Sequence, residues 1–254
     1  MARALFQSWF VDFDPVRAKA AGHHPDGLDA ATAALFPDSF DDSPLGKIPK
    51  DWATKSFDQL VEILSGGTPK TSIAEYWNGD IPWFRVTDVP LNSDIFVLDT
   101  ERYISQAGVD NSATKILSVG TTIISARGTV GKLAMVEKPM AMNQTCYGLK
   151  GKKGYRDPFI YFQTKALIEG LKQRTHGCVF DTIIRDTFKM LEVATPPQKL
   201  AEAFGARVEP ILQKVMNNLK ESRTLAAIRD ALLPKLLSGE VRVKEVERFM
   251  EARM

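Results

Sequence analysis

The chain has 254 residues, 44% of them hydrophobic and 25% charged, the composition of a soluble globular protein with enough apolar side chains for a real core. Its two cysteines, Cys146 and Cys178, exclude a disulfide framework or a CxxC metal site, no apolar run reaches membrane-span length, and the first ten residues lack a signal-peptide core, so the expected location is the cytoplasm. The net charge of +2 is small but unevenly spread: residues 12–62 hold 5 Lys+Arg against 10 Asp+Glu, residues 63–114 hold 3 against 7, and residues 115–189 hold 13 against 5, a local +8.

From the N-terminus, Leu5, Phe6, Trp9, Phe10 and Phe13 recur at helical spacing and predict a short helix over 1–13. A helix so short is marginal alone, so its aromatic face must pack on something. Residues 14–49 carry Pro15, Gly22, Pro25, Gly27, Pro37, Pro44, Gly46 and Pro49, which predicts a linker with at most one helical turn near Ala30–Leu35. Residues 50–195 interleave β-prone runs (Ile81–Val86, Thr121–Ser125, Val130–Val136, Asn143–Leu149) with helices, the clearest starting at Asp157-Pro158. That mixture predicts an α+β domain built on a mixed or antiparallel sheet. Beyond Thr195-Pro196-Pro197, the residues Leu200, Phe204, Val208, Ile211, Val215 and Leu219 are spaced as a coiled-coil seam, and Leu225, Ile228, Leu232 and Leu236 follow. Residues 196–238 should therefore form one helix of about 60 Å, with Pro210 as a kink point and Gly239 as its stop. Such a rod suits an arm or spacer, and residues 239–254 read as a charged tail.

Catalytic chemistry finds no support in these patterns. No Asp or Glu is followed two positions later by Lys, which removes half of the common nuclease signature, and no GxGxxG or P-loop pattern occurs. Thr195-Pro196-Pro197-Gln198 has the wrong flanking residues for the Asn/Asp-Pro-Pro-aromatic loop of amino-methyltransferases and reads as a helix start. His23, His24 and His176 complete no triad or metal set, so no cofactor or metal is expected. Ser65-Gly66-Gly67-Thr68-Pro69-Lys70 is glycine-rich but lacks a nucleotide loop's Gly-Lys-Ser/Thr ending. It is either a tight turn presenting Lys70 to a DNA phosphate or a plain structural turn. The basic stretch 115–189 is what phosphate neutralisation requires, and equally what a solvated lysine-rich face looks like.

The stretches Gly66-Gly67-Thr68-Pro69-Lys70, Tyr76-Trp77-Asn78-Gly79-Asp80-Ile81-Pro82-Trp83 and Ile124-Ser125-Ala126-Arg127-Gly128-Thr129-Val130-Gly131-Lys132 together resemble the target recognition domain of type I restriction-modification specificity subunits. Asn143-Gln144, the Gly177 to Phe188 stretch and Pro196-Pro197 continue the likeness in the family's order, over roughly Ile48 to Val243. Leu232 to Gly239 resembles the end of the family's spacer helix. The resemblance implies a non-catalytic subunit that selects an adenine-containing site on double-stranded DNA for a methyltransferase subunit and, in the full complex, for a restriction/translocase subunit. Full-length members carry two recognition domains separated by two antiparallel helices, whereas this chain has one of each, and Met1 to Val11 resembles the tail of a preceding spacer helix. A homodimer paired through Leu200, Phe204, Val208, Ile211, Val215 and Leu219 is therefore expected, with Leu5, Phe6, Trp9 and Phe10 near the other copy's helix. Expected DNA contacts are Lys70, Thr71, Arg85, Thr87, Arg127, Thr129, Lys132, Asn143, Gln144, Arg174 and Arg185, because Arg reads guanine, Asn or Gln reads adenine, and Lys and Thr hold phosphates. The alternatives are a decoy that binds the methyltransferase without reading DNA and a solitary DNA-modifying enzyme.

Overall fold

The first 49 residues fold around aromatic side chains instead of running as a linker. In the computed structural model, which describes residues 1–90, 94–174 and 182–240 and the side chains of all of these except 172–174, they form helices α1 (Ala2–Phe10), α2 (Asp14–Ala20) and α3 (Ala30–Ala33) and the hairpin β1 (Phe40–Ser43) and β2 (Gly46–Pro49). Proline here starts structure as well as breaking it. Pro15 lies in the first turn of α2, where its missing N–H costs nothing, and Phe13 in the left-handed region (φ 57°) turns the chain out of α1 into α2. Asp29 caps α3 by accepting from Thr32 N at 2.8 Å, while the Lys19 ammonium ties α2 to the end of α3 by donating to Ala33 O and Phe36 O.

The chain continues through β3 (Ala53–Ser56), β4 (Val61–Ser65), β5 (Trp77–Phe84), β6 (Phe96–Val97), β7 (Tyr103–Ile104), α4 (Gln106–Asp110), β8 (Thr122–Ser125), β9 (Leu133–Val136), β10 (Ala141–Met142) and β11 (Cys146–Gly151). It ends in α5 (Asp157–Arg174), α6 (Arg185–Met190), β12 (Glu192–Thr195) and α7 (Gln198–Leu237). Among the described residues, one sheet has the order β4-β11-β8-β9-β6 and is antiparallel except for β6 beside β9; a second has the order β10-β5-β7, and β12 pairs with β3. The expected strands fall on β5, β8, β9 and β11, and the α+β class with a long C-terminal helix is the observed one. Every residue of β8 is buried, as suits a central strand covered on both faces. Phe84, Val97, Leu117, Ile123, Ala134, Val136, Met140, Met142 and Cys146 form one core cluster, and Trp77, Trp83, Ile104 and Ala141 form a second.

The register decides where the loops gather. Ser65 lies opposite Tyr147 and Ser125 opposite Cys146, so the C-terminal ends of β4 and β8 meet the start of β11. Parallel pairing of Phe84 with Met142 brings the ends of β5 and β10 to the same place.

The chain divides into a compact unit Met1–Glu209 and a second unit from Pro210. The first residues of α7 belong to the former, which corrects the expected seam. Leu200, Phe204 and Val208 have no exposed surface, because the ring of Phe204 sits 5.5, 5.2 and 6.0 Å from those of Phe6, Phe10 and Phe162. Trp9 packs edge-on against Phe36 at 5.1 Å. Phe6, Trp9 and Phe10 of α1 are thus buried within this chain, against rings of α5 and α7 among others, and of the face expected near a second copy Leu5 alone stays half-exposed. Arg207 fastens the early loop to α7, donating to Gly27 O at 2.9 Å and pairing with Asp29 at 2.9 Å. In the second unit Ile211, Val215 and Leu219 are half-buried, whereas Leu225, Ile228 and Leu236 are exposed. The helix stops as expected: Gly239 adopts φ +74° and its N–H donates to Leu236 O at 3.2 Å. No helix among the described residues is long and apolar enough to cross a membrane.

Candidate nucleic-acid interface

Four loops meet at the sheet end just defined, and each is built for close backbone approach. After β4, a methyl group on Gly66 would sit 1.9 Å from Asn143 O and one on Gly67 2.4 Å from Thr114 N, so only glycine fits at either position. Gly67 N–H donates to Met142 O at 3.0 Å. Two indoles hold the rest of this loop: Trp83 Nε1 donates to Gly67 O at 3.0 Å and Trp77 Nε1 to Lys70 O at 3.2 Å. Lys70 and Thr71 are left exposed at its tip.

Between β8 and β9, Ser125 closes the loop on itself by donating from Oγ to Thr129 O at 2.5 Å and accepting from Lys132 N at 2.9 Å. Gly128 (φ +74°) and Gly131 (φ +78°) supply left-handed conformations that a β-branched residue could not adopt without strain. Arg127, Thr129 and Lys132 are all exposed on this loop. Ala126 joins it to two neighbours, donating to Thr145 O at 2.7 Å and accepting from Ile183 N at 2.8 Å.

The other two loops carry side chains that are already engaged. Asn143 Oδ1, between β10 and β11, accepts from Thr145 N at 3.1 Å and Thr145 Oγ1 at 2.7 Å. The carbonyl oxygen of Asn143 is thus engaged within its own turn in this structure. Gln144 is exposed and accepts from the Thr68 hydroxyl, linking this loop to the glycine loop. After β5, the Arg85 guanidinium pairs with Glu101 at 2.5 Å and Asp88 accepts from Arg85 N at 2.8 Å, while Thr87 is exposed. Arg185, at the start of α6, donates to Ile63 O at 2.6 Å and so clips α6 to β4. The Arg174 side chain lies outside the described residues.

The structure therefore gathers Lys70, Thr71, Thr87, Arg127, Thr129 and Lys132 as exposed groups around one set of loops, leaves Gln144 exposed while bonded to Thr68, and shows Arg85, Asn143 and Arg185 already bonded. The sequence reading missed Thr68, whose hydroxyl bridges two loops, and Arg102, whose guanidinium stacks on Trp77 at 4.1 Å. Arg102 lies in an acidic stretch, so charge counting passed over it. Cys146 sits beneath the loops in the core, where burial pushes its thiol up to about 11 despite the opposing Thr145 hydroxyl. A thiol of that kind is a packing group and not a nucleophile.

Residues 49–222 match the family described as "Type I restriction modification DNA specificity domain". The chain belongs to this family. Among family proteins, the HindI specificity subunit of Haemophilus influenzae is 29% identical over 282 aligned positions, covering 95% of this chain and 61% of that protein. The MjaIX specificity subunit of Methanocaldococcus jannaschii is 30% identical over 191 residues, covering 74% of this chain and 44% of the relative. The chain thus spans between two fifths and two thirds of the length of these relatives. The fold is shared with the solved S subunit of the M. genitalium type I restriction-modification system, at a TM-score of 0.54 and 19% identity over 74% of this chain and 46% of that one. A chain of another type I assembly, solved to address complex assembly and conformational transition, superposes at a TM-score of 0.52 with 18% identity, covering 92% of this chain and 53% of the other.

Proposed function

We propose that this chain reads double-stranded DNA and directs a type I methyltransferase subunit, and with it a restriction/translocase subunit, to a target site, performing no chemistry of its own. The observation that carries the reading is the convergence of four loops whose backbones are locked to one another while Lys70, Arg127, Lys132 and Gln144 stay exposed. Locked backbone with free cationic tips is what recognition demands, because phosphate contacts fix register and planar or amide side chains then reach base edges. Family membership and the DNA specificity wording of its description agree with it. The test is methyl transfer with the chain, a methyltransferase subunit of such a system and labelled S-adenosylmethionine. Transfer to DNA is expected only when both proteins are present, and transfer by the chain alone would make it an enzyme.

A homodimer remains part of this reading, with its contact moved outward. Leu200, Phe204 and Val208 serve the chain's own core, so pairing with a second copy falls to Ile211, Val215 and Leu219 and to the exposed Leu225, Ile228 and Leu236. Burying such a stripe against an antiparallel helix contributes roughly 25 cal/mol per Å² of apolar surface removed from water. The greater length of the relatives, of which the chain covers 61% and 44%, agrees with more than one recognition domain per functional unit. Sedimentation should show a dimer that Ile211→Asp with Val215→Asp converts to folded monomer.

A further inference from the structure

We propose that Arg102 is a further DNA-contacting residue and that Trp77 is its platform, so that Arg102 and Lys70 form a two-cation clamp on the DNA backbone; the proposal rests on the DNA-reading function above. Three cations occur in residues 63–114, namely Lys70, Arg85 and Arg102, in a stretch that also holds seven carboxylates. The fold treats them differently. Arg85 pairs with Glu101, whereas the exposed Arg102, next in sequence to that carboxylate, forms none of the ion pairs found among the described side chains. Its guanidinium instead lies over Trp77 at 4.1 Å and over the Trp83 ring at 5.9 Å, and the two indoles stand perpendicular with centroids 5.1 Å apart.

The same two indoles hold the glycine loop. Trp77 Nε1 bonds Lys70 O and Trp83 Nε1 bonds Gly67 O, so a single ring separates the guanidinium of Arg102 from the backbone of Lys70. The Arg102 backbone is fixed as well: its carbonyl accepts from Trp83 N at 2.9 Å and from Thr100 Oγ1 at 2.8 Å. A stacked guanidinium keeps its edge N–H groups free while its rotamers are restricted, so less entropy is lost when it meets an anion. A planar edge suits a phosphate's two oxygens, and a flexible Lys70 beside it adds a second charge. An isolated surface arginine would have neither the ring beneath it nor a second cation anchored through that ring.

The experiment measures affinity of the full chain for a 24-base-pair duplex of random sequence across salt concentrations. Each lost phosphate contact lowers the slope of log K against log salt by about 0.9 and, near 0.1 M salt, lowers affinity roughly five- to tenfold. Arg102→Ala and Lys70→Ala should each do this, with thermal unfolding unchanged, and Arg102→Lys should recover most of the slope and part of the affinity. Trp77→Phe keeps the ring face for Arg102 but loses the bond to Lys70 O, and should lower affinity less than Lys70→Ala does. If Lys70→Ala lowers the slope and Arg102→Ala does not, Arg102 merely covers Trp77 and the clamp is wrong. If neither substitution changes the slope, or the unmodified chain does not bind the duplex at low salt, the DNA-reading function itself fails.

Discussion

The base of α7 and the loop end of the main sheet are both tightly built, but by opposite means. Around Phe204, rigidity comes from rings: Phe6, Trp9, Phe10, Phe159 and Phe162 all lie within 6.4 Å of it, centroid to centroid. Around Gly66, rigidity comes from backbone hydrogen bonds and missing side chains. Rings supply buried apolar area and offset or edge-on contacts of about 0.5 to 1.5 kcal/mol each beyond that burial, but they leave no polar group for a ligand. Glycines and engaged serines or asparagines supply little apolar burial, yet they hold a surface still while cations project from it. On the proposed function, stability and recognition fall to different parts of this domain, and damage to one part should spare the other.

Phe204→Ala should give the largest effect, a loss of roughly 3 to 5 kcal/mol in chemical denaturation, since it opens a cavity in the ring cluster. Any DNA binding lost with it should return in proportion to the folded fraction. Gly66→Ala should act the other way round. A methyl group 1.9 Å from Asn143 O forces two loops apart, with a stability cost of about 1 to 3 kcal/mol for overpacking and a DNA affinity lowered well beyond what the unfolded fraction explains. Equal losses of binding per kcal/mol of destabilisation in the two variants would erase the distinction.

Arg127→Ala sharpens the comparison at the level of one side chain. It should leave the unfolding midpoint alone and reduce discrimination between target and random DNA by about 1 to 3 kcal/mol, while Lys132→Ala weakens both equally. Smaller effects belong to the buried titratable groups. In a Cys178→Ser background, Cys146 should resist iodoacetamide at pH 8 until the chain is unfolded, because burial pushes its thiol up to about 11. Asp157, at the start of α5, is raised by burial against the bond from Gly151 N, so its ionisation opposes folding above that raised value and not below its ordinary 3.8. Asp157→Asn keeps an acceptor for Gly151 N–H; it should leave stability equal or slightly higher at pH 7, with the difference gone at pH 3.

Much of this architecture was legible in the sequence, and the misses share a cause. Strands β5, β8, β9 and β11 and the long α7 announced themselves by local pattern, since alternation and seam spacing are properties of neighbours in sequence. The glycine loop was legible as a turn, but its need for glycine comes from Asn143 and Thr114, which are distant in sequence. The fold of residues 14–49 was hidden because Pro15, Pro25 and Pro44 read as breakers, while Trp9, Phe36 and Arg207, which hold the segment, act through tertiary contacts. The seam from Leu200 to Leu219 looked uniform because spacing reports a helical face without saying what covers it. Its first half turned inward through the rings of α1 and α5. Among the site residues, Lys70, Arg127, Lys132 and Gln144 stayed exposed as residue type suggested. Arg85 and Arg185 were engaged by Glu101 and Ile63, partners no local window contains, whereas Asn143 was engaged by its near neighbour Thr145 through a turn that residue type alone did not announce.

In the proposed function, the exposed cations on the loop end select a DNA site for a methyltransferase. The most direct measurement is a map of methylated adenines in genomic DNA from cells carrying the methyltransferase subunit with this chain, with its Arg127→Ala form, and without it. One recurring sequence should be methylated with the unmodified chain, be lost without it, and broaden at one or more positions with Arg127→Ala. The same sites methylated at the same level with and without the chain would contradict the account.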